Sequence, residues 1–245
     1  MSALLETQKL TKTFGGLQAV GGVDFRLDRG EIRALIGPNG AGKTTLVSVI
    51  SGRLRPTSGA VLFNRRDISG IAAWDRVLLG IVYTFQVTSI FKNLTVYDNV
   101  ALAAQRRLMR DFRHRIALGD AALAGPVETA LASVGLAEAS DSQAGSLPYG
   151  HQKLVELAMA LALKPEVLIL DEPTQGLAPE EIRTVCQRIR EIATAVTVLL
   201  IEHNLQVVLE VATKITVMDK GSIIAEGTPA VITTHPDVQK AYLGL

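Results

Sequence analysis

A single cysteine, Cys186, stands in a chain of 245 residues, so no internal disulfide can form; that suits a reducing compartment. No apolar run approaches the about 18 to 20 residues that cross a bilayer as a helix. The longest clean runs, such as Val196 to Ile201, are strand-length, so any role at a membrane is expected to come through another chain. The first residues, MSALLETQKL, lack a basic stretch followed by an apolar one and do not read as a signal peptide. Charge of one sign is also lacking. Lys and Arg number 25 against 24 Asp and Glu, a net charge of +1, so no global field recruits nucleic acid. Low-complexity tracts, long linkers and solenoid-period repeats are missing as well.

What is present is ample apolar material for a core, 48% of residues, in an organised order. Short β-like pieces come first: Leu4 to Leu10, Val23 to Leu27 and Ala60 to Phe63, with turns expected at Gly15-Gly16 and Gly21-Gly22. Ile32 to Ile36, Val167 to Leu170, Val198 to Ile201 and Ile215 to Met218 are apolar throughout or nearly so, the pattern of parallel strands covered on both faces. From about Thr95 to Leu163 the chain is rich in Ala, Leu and Arg, and predicts helices broken at Gly119, Gly125-Pro126 and Gly135. The fold class expected is α/β: a core with a mixed or parallel sheet, an N-terminal antiparallel β subdomain and a helical subdomain inserted at about 87–164.

Gly37-Pro38-Asn39-Gly40-Ala41-Gly42-Lys43-Thr44 matches G-x-x-x-x-G-K-S/T at every fixed position, between an apolar strand and the helical run that starts at Thr45. Glycines there permit close backbone approach, successive N–H groups can face phosphates, and the helix adds its positive end. Lys43 is expected on the β- and γ-phosphates of a nucleotide and the Thr44 hydroxyl on Mg²⁺. Asp171 and Glu172 end the strand run Val167 to Leu170, where a parallel strand delivers its residues to the ligand crevice. Beside a phosphate cradle they predict a metal-holding acid, Asp171, and a general base, Glu172; alone, they would read as two solvated acids.

On these two sites the chain resembles the nucleotide-binding subunit of ATP-binding cassette (ABC) transporters, and the likeness runs over essentially the whole length. The resemblance implies ATP and Mg²⁺ as ligands, ATP hydrolysis as the activity, and further residues. Phe14 looks like the aromatic that stacks on adenine, although a core Phe at a strand end is the alternative. Gln86, within Tyr83-Thr84-Phe85-Gln86, looks like the glutamine that touches metal or water and senses the membrane partner. His203 resembles the histidine that bonds the γ-phosphate, with a structural His as the alternative. Leu147-Pro148-Tyr149-Gly150-His151-Gln152 aligns with the family's signature, usually Leu-Ser-Gly-Gly-Gln, whose helix N-terminus points at the nucleotide of the facing subunit. Here Pro148 replaces the serine and His151 the glutamine, which removes a hydroxyl and a backbone donor. Pro173 to Pro179 looks like the loop that couples the two sites.

The segments Ile90 to Val100, Gly221 to Pro229 and Ala241 to Gly244 resemble the branched-chain amino-acid importers, relatives of which move urea, amides or small organic acids. The partners implied are a second cassette subunit, identical or different, integral membrane permease subunits and a solute-binding protein, with the chain peripheral at the cytoplasmic face. Two other readings stand beside this one: a cassette ATPase acting on ribosomes or DNA, and a nucleotide-dependent binding module with little turnover. A basic run, Gln105 to Arg115, reads as a solvated helix face or a contact for anionic lipid or permease. Cys186 reads as packing in a helix spanning Ile182 to Ile192.

Overall fold

A computed structural model describes residues 3–84, 89–108 and 121–243. Two sheets organise the molecule. The first is antiparallel, ordered β2-β1-β4-β5, from β1 (Ala3–Phe14), β2 (Leu17–Asp28), β4 (Ser58–Phe63) and β5 (Arg66–Asp67). The second is six-stranded, ordered β10-β9-β3-β8-β7-β6, from β3 (Ile32–Ile36), β6 (Ile81–Thr84), β7 (Val167–Asp171), β8 (Thr197–Ile201), β9 (Lys214–Asp219) and β10 (Ser222–Gly227). Its members run parallel except β10, which pairs antiparallel with β9. β3, β7 and β8 are buried at every position, as expected of apolar strands covered on both faces.

Helix α1 (Lys43–Ile50) follows β3 and lies between the two sheets, its Leu46, Val47, Val49 and Ile50 in one core with Leu5, Leu27, Leu35 and Ile169. α2 (Ala73–Leu79) leads into β6. Between β6 and β7 come α3 (Val96–Leu108), α4 (Ala121–Val134) and α5 (Tyr149–Ala162). These helices share a core with α6 (Pro179–Ile192) and with Val82, Leu168, Leu170 and Leu200 on the other face of the six-stranded sheet. α7 (Leu205–Val211), α8 (Pro229–Thr233) and α9 (Pro236–Leu243) follow; Val208, Ile232 and Val238 pack with β3, β9 and β10. No described helix is long and apolar enough to cross a membrane.

Two expectations need correcting. Gly21-Gly22 does not end a strand. β2 runs through it, with Gly22 at φ 66 in an irregularity where the register passes from Leu10↔Val23 to Lys12↔Val20, a bulge. Gly125-Pro126 does not break the helix: Pro126 lies inside α4. Leu123, Val127, Ala130, Leu131 and Val134 bury one face there, and packing outweighs the hydrogen bond that a proline forgoes. Gly135, at φ 75, does follow the end of α4, while Gly119 lies outside the described residues. Cys186 is fully buried on α6. In the basic run, Arg106 Nη2 donates to the Trp74 carbonyl at 3.3 Å, whereas Arg110 and Arg113 lie outside the described residues.

Candidate active site

The cradle Gly37 to Gly42 links the C-terminal end of β3 to α1. Gly37 and Gly42 have φ of 153° and 97°, and a Cβ at either would meet backbone: the Met218 carbonyl oxygen at 2.2 Å and the Ala19 carbonyl oxygen at 2.3 Å. The loop is therefore clamped between β9 and β2, a demand separate from phosphate approach. Pro38 is partly buried, Asn39 and Gly40 are exposed, and Ala41 is buried, its carbonyl accepting from Gly221 N–H at 3.0 Å. Lys43 Nζ reaches back over the loop and donates to the Gly37 and Pro38 carbonyls at 2.6 and 3.0 Å. Burial pushes the Lys43 ammonium below its ordinary pKa, while the charges of Glu172 and Asp171 act the other way. Those opposing charges show both acids within electrostatic reach of Lys43. Thr44 and Thr45 open α1, Thr44 exposed and Thr45 partly buried.

Asp171, 6% exposed, is the last residue of β7. Its carboxylate accepts a hydrogen bond from the Tyr83 hydroxyl. Glu172 follows at φ 49, in the left-handed region that non-glycine residues seldom occupy, and its N–H donates to the Ile201 carbonyl at 2.9 Å. Backbone strain of this kind concentrates at functional sites, where surrounding structure holds it. The Glu172 carboxylate lies 3.6 Å from His203 Nδ1, whose side chain is 61% exposed. The donors available to a metal here, the Thr44 hydroxyl and the Asp171 carboxylate, are hard oxygens. They suit Mg²⁺, which takes one or two protein oxygens and completes its shell with water and phosphate.

A buried acid absent from the sequence reading organises this corner. Glu202 is 1% exposed. One of its oxygens accepts from Thr174 N–H at 3.2 Å and from the Thr174 hydroxyl, and the other from the N–H groups of His203 and Asn204 at 3.0 and 3.2 Å. Glu202 thereby fixes the loop after Glu172 against the loop that carries His203. Asn204 then caps α7, its side chain accepting from Gln206 N–H at 3.1 Å. In sequence, Glu202 was one more acid at a strand end, with no local signal of burial.

Phe14 ends β1 opposite Leu17 and is 45% exposed, with Lys12 Nζ 5.1 Å from its ring centroid, so the alternative of a core Phe does not hold. Pro148 is the residue just before α5, with φ −51° and ψ 151°, a position where a missing N–H costs the helix nothing. Pro148, Tyr149 and His151 are exposed and Gly150 is buried. Gly150 N–H donates to Glu181 at 2.9 Å, and the same carboxylate accepts from Ala178 N–H at 2.9 Å, so one acid caps the N-termini of both α5 and α6. These N–H groups hold the Glu181 carboxyl below its ordinary pKa. Gln86, assigned to metal and water contact from sequence, lies outside the described residues.

Comparisons with known proteins agree with this architecture. The model of the family described as "ABC transporter" matches residues 20–175, and that described as "Branched-chain amino acid ATP-binding cassette transporter" matches residues 222–244. The chain is 36% identical over 249 residues to the high-affinity branched-chain amino acid transport ATP-binding protein BraF of Pseudomonas aeruginosa, covering 98% of each. It is 37% identical over 251 residues to LivG of Escherichia coli, of the same description, again over 98% of each. Among solved structures, an ATP-binding cassette of an ABC transporter in its ADP conformation superposes with a TM-score of 0.89 at 30% identity, over 100% of both chains. The phosphate cradle, the strand-end acids and the likeness over the whole chain lead to one conclusion: this protein belongs to the ABC transporter family, as an ATP-binding subunit of the branched-chain amino-acid type.

Proposed function

We propose that this chain binds Mg-ATP in the Gly37 to Thr44 cradle and hydrolyses it to energise an importer, with a branched-chain amino acid or a related small polar solute as cargo. The observation that carries the reading is that the loop leading to Lys43 and the acids Asp171 and Glu172 leave the C-terminal ends of β3 and β7, parallel strands of the six-stranded sheet separated only by β8. In the mechanism proposed, Phe14 stacks on adenine, and the amides from Gly37 to Thr45, with Lys43, hold the phosphates. The Thr44 hydroxyl and the Asp171 carboxylate would hold Mg²⁺, which would supply charge neutralisation at the transferred phosphoryl group, and Gln86 is assigned to the metal or the attacking water. Glu172 accepts a proton from the attacking water, and His203 and Lys43 stabilise the negative charge that develops.

Two cassettes, identical or different, close around two nucleotides, the segment Pro148 to His151 of one facing the nucleotide of the other. The helices α3, α4 and α5 belong to the inserted subdomain that meets the permease. The chain acts at the cytoplasmic face of the membrane, beside permease subunits and a solute-binding protein. The amino-acid cargo rests on the printed descriptions of BraF and LivG and on the family model matched at residues 222–244.

Reconstitution provides the test. The chain, its partner cassette and two permease subunits are placed in vesicles with the solute-binding protein loaded with leucine, isoleucine or valine. Phosphate release is expected to rise several-fold with the loaded binding protein, together with uptake of the labelled amino acid. Phosphate release that ignores all three amino acids overturns a branched-chain amino acid as the cargo, and none at all overturns the ATPase assignment.

A further inference from the structure

We propose that Tyr83 is a positioning residue for Asp171, fixing the carboxylate that the nucleotide's metal requires. This rests on the reading of Asp171 as a metal-holding acid. β6 runs beside β7 with Tyr83 opposite Ile169 and Thr84 opposite Leu170, which brings the Tyr83 side chain to the end of β7. There the phenol donates to Asp171 Oδ2. The ring is itself held: the Arg53 guanidinium lies 3.7 Å from its centroid, and Arg53 Nη2 donates to Ser48 Oγ, on α1, at 2.9 Å. The chain Ser48, Arg53, Tyr83, Asp171 thus runs from the helix that carries Lys43 and Thr44 to the acid of the neighbouring element.

The chemistry follows from the directionality of that bond. An aspartate at a strand end rotates about two side-chain bonds, and a bond through Oδ2 selects one orientation and leaves Oδ1 as the oxygen for a cation. Partners that orient a metal's ligands tune its affinity, and their loss typically costs about 10- to 100-fold.

The test removes one hydroxyl. Parent and Tyr83→Phe proteins, saturated with ADP, are titrated with Mn²⁺ by electron paramagnetic resonance, and ADP affinity is measured separately in EDTA. The ring and its face-on contact with the Arg53 guanidinium remain in Tyr83→Phe. Nucleotide-dependent Mn²⁺ affinity is expected to fall about tenfold, with metal-free ADP affinity unchanged. Equal Mn²⁺ affinity in the two proteins overturns the inference. So does a parallel fall in both affinities, which would make Tyr83 a general support of the fold. A parent without a nucleotide-dependent Mn²⁺ site would instead overturn the assignment of Asp171.

Discussion

Replacing Glu172 with glutamine is expected to lower ATP turnover by at least about 100-fold while leaving ATP binding intact, as the loss of a general base does. The substitution keeps the volume and one oxygen but removes proton-accepting power. It does not disturb the features that place the residue: the φ of 49° and the bond from its N–H to the Ile201 carbonyl are backbone properties. The residue therefore stays where it is and only its chemistry changes. His203, 3.6 Å away, is not expected to replace it, because its side chain is 61% exposed and Glu202 holds its backbone N–H, not its imidazole. Filter binding of ATP and phosphate release in the presence of partner subunits separate the two effects. An unchanged rate would assign the base elsewhere; loss of binding and turnover together would make Glu172 part of the nucleotide grip.

The second large effect concerns a residue remote from chemistry. Arg76, 1% exposed, donates five hydrogen bonds to carbonyls: Ile71 at 2.9 Å, Val49 at 2.8 Å, Ile50 at 2.6 Å, Ile68 at 2.6 Å and Ser69 at 3.2 Å. Two of those carbonyls belong to the last turn of α1, where a cation also complements the helix dipole. Burial lowers the guanidinium pKa to about 10, with Asp67 opposing, so it remains charged at neutral pH. Arg76→Met fills a similar volume and removes this donor from all five carbonyls, of which Val49 and Ile68 also accept from the N–H groups of Gly52 and Ile71 at 3.1 and 2.9 Å. Leaving buried polar groups without a partner costs about 1–3 kcal/mol each where water cannot reach them, and breaking a buried charge network costs about 3–5 kcal/mol in total. A melting temperature lower by about 10 °C is expected in a chain of this size. Arg76→Lys should recover only part of it, since one ammonium cannot fan out to five carbonyls. A melting curve unchanged in Arg76→Met would show that the network contributes nothing net.

Much of this architecture was legible because its signals are local. The all-buried strands Ile32 to Ile36, broken only by Arg33, and Val198 to Ile201 declare themselves by apolar character, and the glycine-rich loop by fixed spacing in a strand–helix setting. What stayed hidden depends on distant partners. β6, four residues long, is too short to show a period, and its pairing with β7 comes from residues 86 positions away. The short helix α2 and strand β10 gave no period long enough to read. Glycine at 22 and proline at 126 carry local turn propensity that strand pairing and helix packing override. In the site, Lys43, Asp171 and Glu172 follow from motif. Tyr83, Glu202 and Glu181 do not, because each acts through a bond whose other end lies 28 or more residues away in sequence.

Nucleotide affinity of parent and Lys43→Ala proteins, titrated with Mg-ATP by calorimetry, tests the central claim most directly. The claim is that backbone amides and one ammonium grip the terminal phosphates beside Asp171 and Glu172. Saturable binding by the parent, weakened about 10- to 100-fold in Lys43→Ala, is the result expected when a charged donor to a phosphate is lost. A parent that does not bind Mg-ATP, or a Lys43→Ala protein that binds it as the parent does, would contradict the account.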